Sequence, residues 1–234
     1  MSNPLCYFEG SLNPLLLFRA IKFKKQFRQE HPEYFDPDGI MVFCGPQGSG
    51  KTLSAVQYVL RLIKAYPHSI LVTNVEIQGL PEDYQVYQYT GLRDLSTYSN
   101  GYAGVIYLID EIQIEFNSLE SKNIDPSVIT EIAQQRKQRK HIVGTSQVFG
   151  RIAKPFREQF KFAMLCRCFA GVLQYNVLID GAKSIEDADG HIQCDSIKRY
   201  MWLHDPDLYK SYNTYAKILR TKERGYRNGY GSRN

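Results

Sequence analysis

The stretch Gly45-Pro46-Gln47-Gly48-Ser49-Gly50-Lys51-Thr52 fits the pattern G-x-x-x-x-G-K-[ST], and with its flanks it restricts the fold more than any other feature of the chain. Before it runs Ile40-Met41-Val42-Phe43-Cys44, a short apolar run of the kind a parallel sheet buries on both faces. After it, apolar residues recur at helical spacing over 53–66, and strand character returns at 69–73. Strand, glycine-rich loop, helix and strand make one βαβ unit, whose crossover is right-handed. The glycines let backbone N–H groups curl around phosphate oxygens, and the helix N-terminus adds a favourable partial charge. In that setting Lys51 reaches the β- and γ-phosphates of a nucleotide such as ATP, and the Thr52 hydroxyl binds Mg²⁺. Leu53, the next residue, is counted with the nucleotide-binding stretch.

The pattern of strand and helix repeats further along. Residues 105–109 read as another buried strand, 126–138 as a helix and 141–145 as a further strand. Such alternation implies a parallel sheet covered on both sides. After Phe156 it gives way to three strand-like segments, 160–168, 171–180 and 192–203, the first two joined around Ala170-Gly171. The expected fold is therefore α/β, of the P-loop NTPase class, mostly a parallel sheet flanked by helices, with an antiparallel C-terminal extension. With 234 residues, the chain divides into a basic helical segment (1–39), the nucleotide-binding domain (40–219) and a basic tail unable to bury a core (220–234).

Asp110-Glu111 directly follows the apolar run 105–109, which places both carboxylates at the C-terminal edge of the sheet, where ligands of open α/β folds collect. Asp110 is the expected Mg²⁺ holder, and Glu111 is positioned to polarise an attacking water. The plainer reading makes Glu111 an acid favoured at a helix start. The strand beginning at His141 ends in Thr145-Ser146-Gln147, where Gln147, with Thr145 or Ser146 beside it, suits a sensor of the γ-phosphate; a simple strand-end turn is the alternative. The basic run 136–141 ends the preceding helix, so its cations suit the helix C-terminus. Arg139 or Arg136, like Arg151 or Arg157, also fits an arginine donated to a neighbouring subunit's phosphates.

The net charge of +5 permits a polyanionic partner without requiring one, so its distribution matters more. Basic residues crowd into 19–28, 136–141 and the tail, where Arg220, Lys222, Arg224, Arg227 and Arg233 alternate with Tyr226, Tyr230 and glycines. Residues 14–29 read as a basic amphipathic helix with Leu16, Ala20, Phe23 and Phe27 at helical spacing, either packed on the domain or touching nucleic acid. The cysteines, five in number, come without a secretory leader, which suits a reducing, cytoplasmic setting, and Cys166 and Cys168 fall on one face of a strand as core thiols. No stretch approaches the ~20 apolar residues of a membrane-spanning helix.

Taken in order, the apolar strand, the glycine loop, Asp110-Glu111, Arg139-Lys140-His141 and Thr145-Ser146-Gln147 resemble the zonula occludens toxin family of filamentous-phage assembly ATPases, relatives of the FtsK/HerA-type DNA-pumping motors. Thr73-Asn74-Val75 is similar to that family's second strand, and 208–212 to the segment closing its ATPase domain. Lys140 stands where the resemblance leads one to expect an arginine before the histidine. Members that act in extrusion continue into a membrane-spanning helix and an outer domain, neither of which is legible here; phage genome-packaging ATPases of the same superfamily need none. The resemblance implies a bacterial-host cytoplasmic, ring-forming homo-oligomeric ATPase that uses ATP and Mg²⁺, moves double-stranded DNA without reading its sequence, and docks on a phage portal or membrane assembly complex. Two other classes share the loop. A small-molecule or nucleotide kinase needs an Arg-rich lid, which is not evident, and adjacent carboxylates suit hydrolysis better. A slow regulatory P-loop protein that binds a protein partner is the third.

Overall fold

Alternation along each strand explains why the sheet is buried on both faces. On β1 (Ile40–Cys44), Ile40, Val42 and Cys44 belong to one apolar cluster, and Met41 and Phe43 to the other. On β4 (Val105–Ile109), Val105, Tyr107 and Ile109 face the first cluster, and Ile106 and Leu108 the second. Every residue of both strands is buried, as continuous apolar runs require. The structure is a computed structural model that describes residues 13–36, 39–116, 126–152, 154–181, 185–186, 192–193 and 195–212.

The chain divides into two units, Met1–Tyr34 and Phe35–Asn234. In the first, α1 (Pro14–Glu30) starts where the Asn13 side chain accepts from the Leu15 N–H at 2.9 Å and Pro14 occupies a position whose N–H would have no partner. It ends at His31, whose N–H bonds the Phe27 carbonyl at 2.9 Å. No residue of α1 is buried, and Leu15, Phe18 and Phe23 are 72%, 71% and 68% exposed. Its helical spacing was legible in the sequence.

The second unit is built on an eight-stranded sheet in the order β10-β7-β6-β1-β5-β4-β2-β3. After β1 come α2 (Lys51–Ala65), β2 (Ile70–Thr73), β3 (Val86–Gln88), α3 (Asp94–Thr97) and β4. Next along the chain are α4 (Pro126–Gln134), β5 (Lys140–Ser146), α5 (Lys154–Arg157), β6 (Phe160–Phe169) and β7 (Leu173–Asp180). The short strands β8 (Ile185–Glu186) and β9 (Ile192–Gln193) pair with each other, and β10 (Ser196–Leu203) and α6 (Pro206–Lys210) complete the described fold. Strands β1 to β6 of the large sheet are parallel; β7 runs antiparallel to β6, and β10 antiparallel to β7. The α/β class, the parallel sheet and the antiparallel C-terminal extension are all as the sequence implied.

Helix α2 covers one face with Leu53, Val56, Val59 and Ile63, while Leu95 of α3, Val128 and Ile132 of α4 and Phe156 of α5 lie in the cluster on the other. Three details differ from expectation. The helix expected over 126–138 stops at Gln134, because residues 135–139 turn back, with Arg139 at φ 55° and the Lys140 N–H on the Gln135 carbonyl at 2.9 Å. The strand expected over 192–203 is two pieces, and only β10 joins the large sheet. Strand β3 and helix α3 carry too few residues for a periodic signal. Cys6, Cys194 and the tail 220–234 lie outside the described residues.

Candidate active site

The loop joins the C-terminal end of β1 to the start of α2, and its glycines have separate reasons to be there. Gly48 and Gly50 sit at φ 77° and 74°, the left-handed region that only glycine enters freely. A Cβ on Gly45 would stand 2.7 Å from the Cys166 carbonyl oxygen and against the Ser49 hydroxyl. Gly50 is the N-cap of α2 and offers no side chain to the first-turn N–H groups. The Ser49 hydroxyl is buried and has no hydrogen-bond partner among the described residues. An uncapped helix start and a buried, unpaired hydroxyl in a glycine cradle fit phosphate oxygens. Pro46, Gln47 and Gly48 are exposed, whereas Leu53 is 3% exposed in the α2 core, so its side chain serves packing.

Lys51 is 7% exposed, with Nζ 3.5 Å from Glu111 Oε1. One residue on, Thr52 Oγ1 donates to Asp110 Oδ1 at 2.9 Å. Residues from the helix start and the end of β4, 58 apart in sequence, thus meet at the mouth of the loop. A hydroxyl and a carboxylate oxygen side by side are the hard donors Mg²⁺ takes, usually with several waters, so the residues present fit that ion.

Asp110 is held on three sides. Its backbone N–H donates to Asn74 Oδ1 at 2.8 Å, and Asn74 Nδ2 donates to its carbonyl at 3.1 Å. Thr145 Oγ1 donates to the same Oδ1 at 2.5 Å. Burial pushes the Asp110 carboxyl above its ordinary range, with the neighbouring Glu111 charge adding to the rise, while the Thr145 and Thr52 hydrogen bonds and the Lys51 charge oppose it.

Glu111 occupies φ 55°, rare for a residue with a Cβ, and its N–H donates to the Thr145 hydroxyl at 3.0 Å. The left-handed bend turns the chain sharply from β4 into a short 3₁₀ turn, Ile112–Ile114. Besides Lys51, the Glu111 carboxylate accepts from Gln113 Nε2 and, at 3.3 Å, from Gln147 Nε2. Gln147 is exposed at the end of β5, and Ser146 Oγ donates to the Val148 carbonyl at 2.9 Å. Lys51, Thr52, Asp110, Glu111 and Gln147 are therefore brought together, Thr145 with them, while the Ser146 hydroxyl is engaged in the strand-end turn.

Arg139 is not brought to this site. Strand β5 starts at Lys140 and runs parallel to β1 with Ile142 opposite Ile40, so Arg139 lies at the other edge of the sheet. The length of β5 puts roughly 20 Å between that edge and the loop. Its guanidinium donates to the Phe35 carbonyl at 2.6 Å and lies 5.5 Å from the Tyr102 ring centre. Arg157 stands over the Phe149 ring at 5.9 Å, and the Arg151 side chain is outside what the structure describes.

Sequence reading missed two sets of residues that shape the site. Asn74 was read only as part of a strand, yet it fixes the Asp110 backbone. Gln174 and Asn176 of β7 are 0% and 4% exposed and reach Ser49 and Ser54. Their signal was two amides, two apart, inside an otherwise apolar strand.

No known protein-family profile matches the chain, and no curated protein matches it in sequence. Its structure, by contrast, is similar to the crystal structure of the N-terminal domain of zonular occludens toxin from Neisseria meningitidis, with a TM-score of 0.54 at 15% identity, over 75% of this chain and 98% of that one. The genome packaging NTPase B204 of Sulfolobus turreted icosahedral virus 2 also matches, in structures with ATP-gammaS and AMPPCP, at TM-scores of 0.48 and 0.49 and 14% identity, over 68% of this chain. The similarity spans 96% and 97% of those two chains. The resemblance drawn from the motifs thus extends to the fold, an α/β sheet that is mostly parallel, with the glycine loop between β1 and α2.

Proposed function

We propose that this chain is a Mg²⁺-dependent ATPase that works as a ring-forming motor on double-stranded DNA, in packaging a phage genome or assembling a virion. The observation that carries the enzymatic part is the meeting of Thr52 Oγ1 with Asp110 Oδ1 at 2.9 Å beside the Lys51–Glu111 pair, all at the mouth of the glycine loop. Thr52 and Asp110 would hold Mg²⁺, which when bound neutralises charge on the phosphate oxygens. The loop N–H groups and Lys51 bind the β- and γ-phosphates. Glu111 accepts the proton of the attacking water once Lys51 turns to phosphate, and Gln147, on the same carboxylate, orients that water or senses the γ-phosphate.

The DNA part rests on charge and on the fold. Basic residues without an acid among them over 19–28, and in the tail with Glu223 as the only acid, suit phosphate contacts that carry no sequence information. A motor of this kind works in the cytoplasm of a bacterial host, docked on a portal or a membrane assembly complex. No helix of the described residues is long and apolar enough to cross a membrane. For Arg139 to act on a neighbour's nucleotide, its guanidinium would have to leave the Phe35 carbonyl. Release of phosphate from Mg·ATP, with and without double-stranded DNA and with oligomeric state measured alongside, tests the proposal. DNA-stimulated hydrolysis by an oligomer, abolished in Lys51→Ala, is the expected result. No turnover under any condition would overturn the ATPase reading, and turnover indifferent to DNA would overturn the motor.

A further inference from the structure

The antiparallel strands lie outside every motif read from the sequence, yet β7 sends a fully buried amide into the back of the glycine loop. Gln174 Nε2 donates to the Ser49 carbonyl at 2.9 Å and to Asn176 Oδ1 at 2.7 Å. Because the Ser49 oxygen only accepts, the orientation of this amide is fixed. Its Oε1 lies 3.0 Å from His204 Nε2, at the end of β10. His204 Nδ1 meets the Tyr209 hydroxyl of α6, which in turn donates to the Gly171 carbonyl at 3.0 Å. Two residues along the same face of β7, Asn176 Nδ2 donates to Ser54 Oγ on α2 at 3.1 Å. The pair therefore grips both the loop and the helix the loop opens.

A trans peptide is planar, with its C=O and N–H pointing to opposite sides. Holding the Ser49 oxygen on Gln174 turns the Gly50 N–H away from β7. Ser49 stands between two glycines at φ 77° and 74°, so without that hydrogen bond this peptide rotates at small steric cost. A Cβ on Gly50 would fall on the Gln174 side chain, so amide and glycine are fitted to each other.

We propose that Gln174 is a positioning residue for the nucleotide, holding the Ser49–Gly50 peptide so that the Gly50 N–H is presented to phosphate and setting nucleotide affinity from the antiparallel extension. This rests on the ATPase reading above. The test uses the full chain, with steady-state Mg·ATP turnover and equilibrium binding of a fluorescent ATP analogue, for wild type, Gln174→Leu and Gln174→Met. Leu removes both polar atoms; Met follows the path of Gln without a hydrogen to give, and its flexibility keeps the core filled if Leu does not fold. With one orienting hydrogen bond lost, KM and Kd should rise about tenfold while kcat stays within about threefold. A merely structural role would remove active molecules, lowering kcat at an unchanged KM. Unchanged KM and Kd in both variants, with or without a fall in kcat, would overturn the role of Gln174. A wild-type chain that binds no nucleotide would overturn the ATPase reading beneath it.

Discussion

Two carboxylates adjacent in sequence have been given different surroundings. Glu111 is ion-paired to Lys51 at 3.5 Å and held by two glutamine amides, so its charge is engaged by the cation proposed to bind phosphate. Glu111→Gln keeps the shape, removes the base and frees Lys51. Hydrolysis should fall by at least about 100-fold, with ATP bound as tightly as in wild type or more tightly; equal turnover rates in a phosphate-release assay would remove Glu111 from the chemistry. Asp110 is in the reverse position, a carboxyl whose pKa burial has raised. A carboxyl with a folded-state pKa above its unfolded value binds more protons folded than unfolded, so it costs stability as pH rises from the unfolded value through the folded one, and that cost persists above. Asp110→Asn keeps an acceptor for Thr52 and Thr145 and removes the buried charge. In the absence of Mg²⁺ it should melt higher than wild type at pH 8, the difference vanishing below the ordinary carboxylate range, and it should lose the Mg²⁺ dependence of nucleotide binding. Thermal melts across pH, paired with Mg²⁺ titrations, check both.

Among the elements, β5 joins two functions at its two ends. Its C-terminal end delivers Thr145 and Gln147 to the site, and its N-terminal end begins with Lys140, 3% exposed. Lys140 Nζ donates to Glu131 Oε1 on α4 and to the Leu95 carbonyl on α3, both at 2.6 Å. The lysine that departs from the expected arginine is thus a buried tie between two helices and the sheet. Lys140→Ala leaves a buried carbonyl without its donor and a carboxylate without its cation, and should cost ~3 kcal/mol of stability. Denaturant melts measure it, and a loss below ~1 kcal/mol would show the tie to be dispensable. Burial alone would raise the Glu131 pKa, but hydrogen bonds from Lys140 and Gln138 and the Lys140 charge bring it below its ordinary value. Its contribution is accordingly present at neutral pH and lost as pH falls through that lowered value, so the difference between variant and wild type should shrink in acid.

At the scale of the whole molecule, the unit from Phe35 onward holds the buried core, and no residue of α1 is buried. Removing residues 1–34 should therefore leave nucleotide binding and basal hydrolysis nearly unchanged. Each phosphate contact releases counterions, so if α1 or the tail touches DNA, loss of that segment should weaken binding and flatten its salt dependence, whatever the DNA sequence. Truncation after Leu219 asks the same of the tail. Binding isotherms at several salt concentrations decide between them: equal affinity and slope in both truncations would assign the DNA contact to another surface, or to none.

The glycine loop, the apolar strands and Asp110-Glu111 were legible in sequence because each depends on local order: a five-residue apolar run makes a buried strand, and the residues directly after it lie at the sheet's edge. The place of Arg139 was not legible in the same way, since the basic run adjoins β5 in sequence but sits at the edge of the sheet away from the glycine loop. Asn74, Thr145 and Gln174 show the complement. Each reaches its partner across 34 to 125 residues of chain, through strand order and register that no local pattern encodes. The sequence alone determined which chemistry the loop can hold and on what class of fold; only the tertiary structure decided which distant side chains hold it still, because parallel neighbours in a sheet are chosen by long-range packing and not by adjacency along the chain.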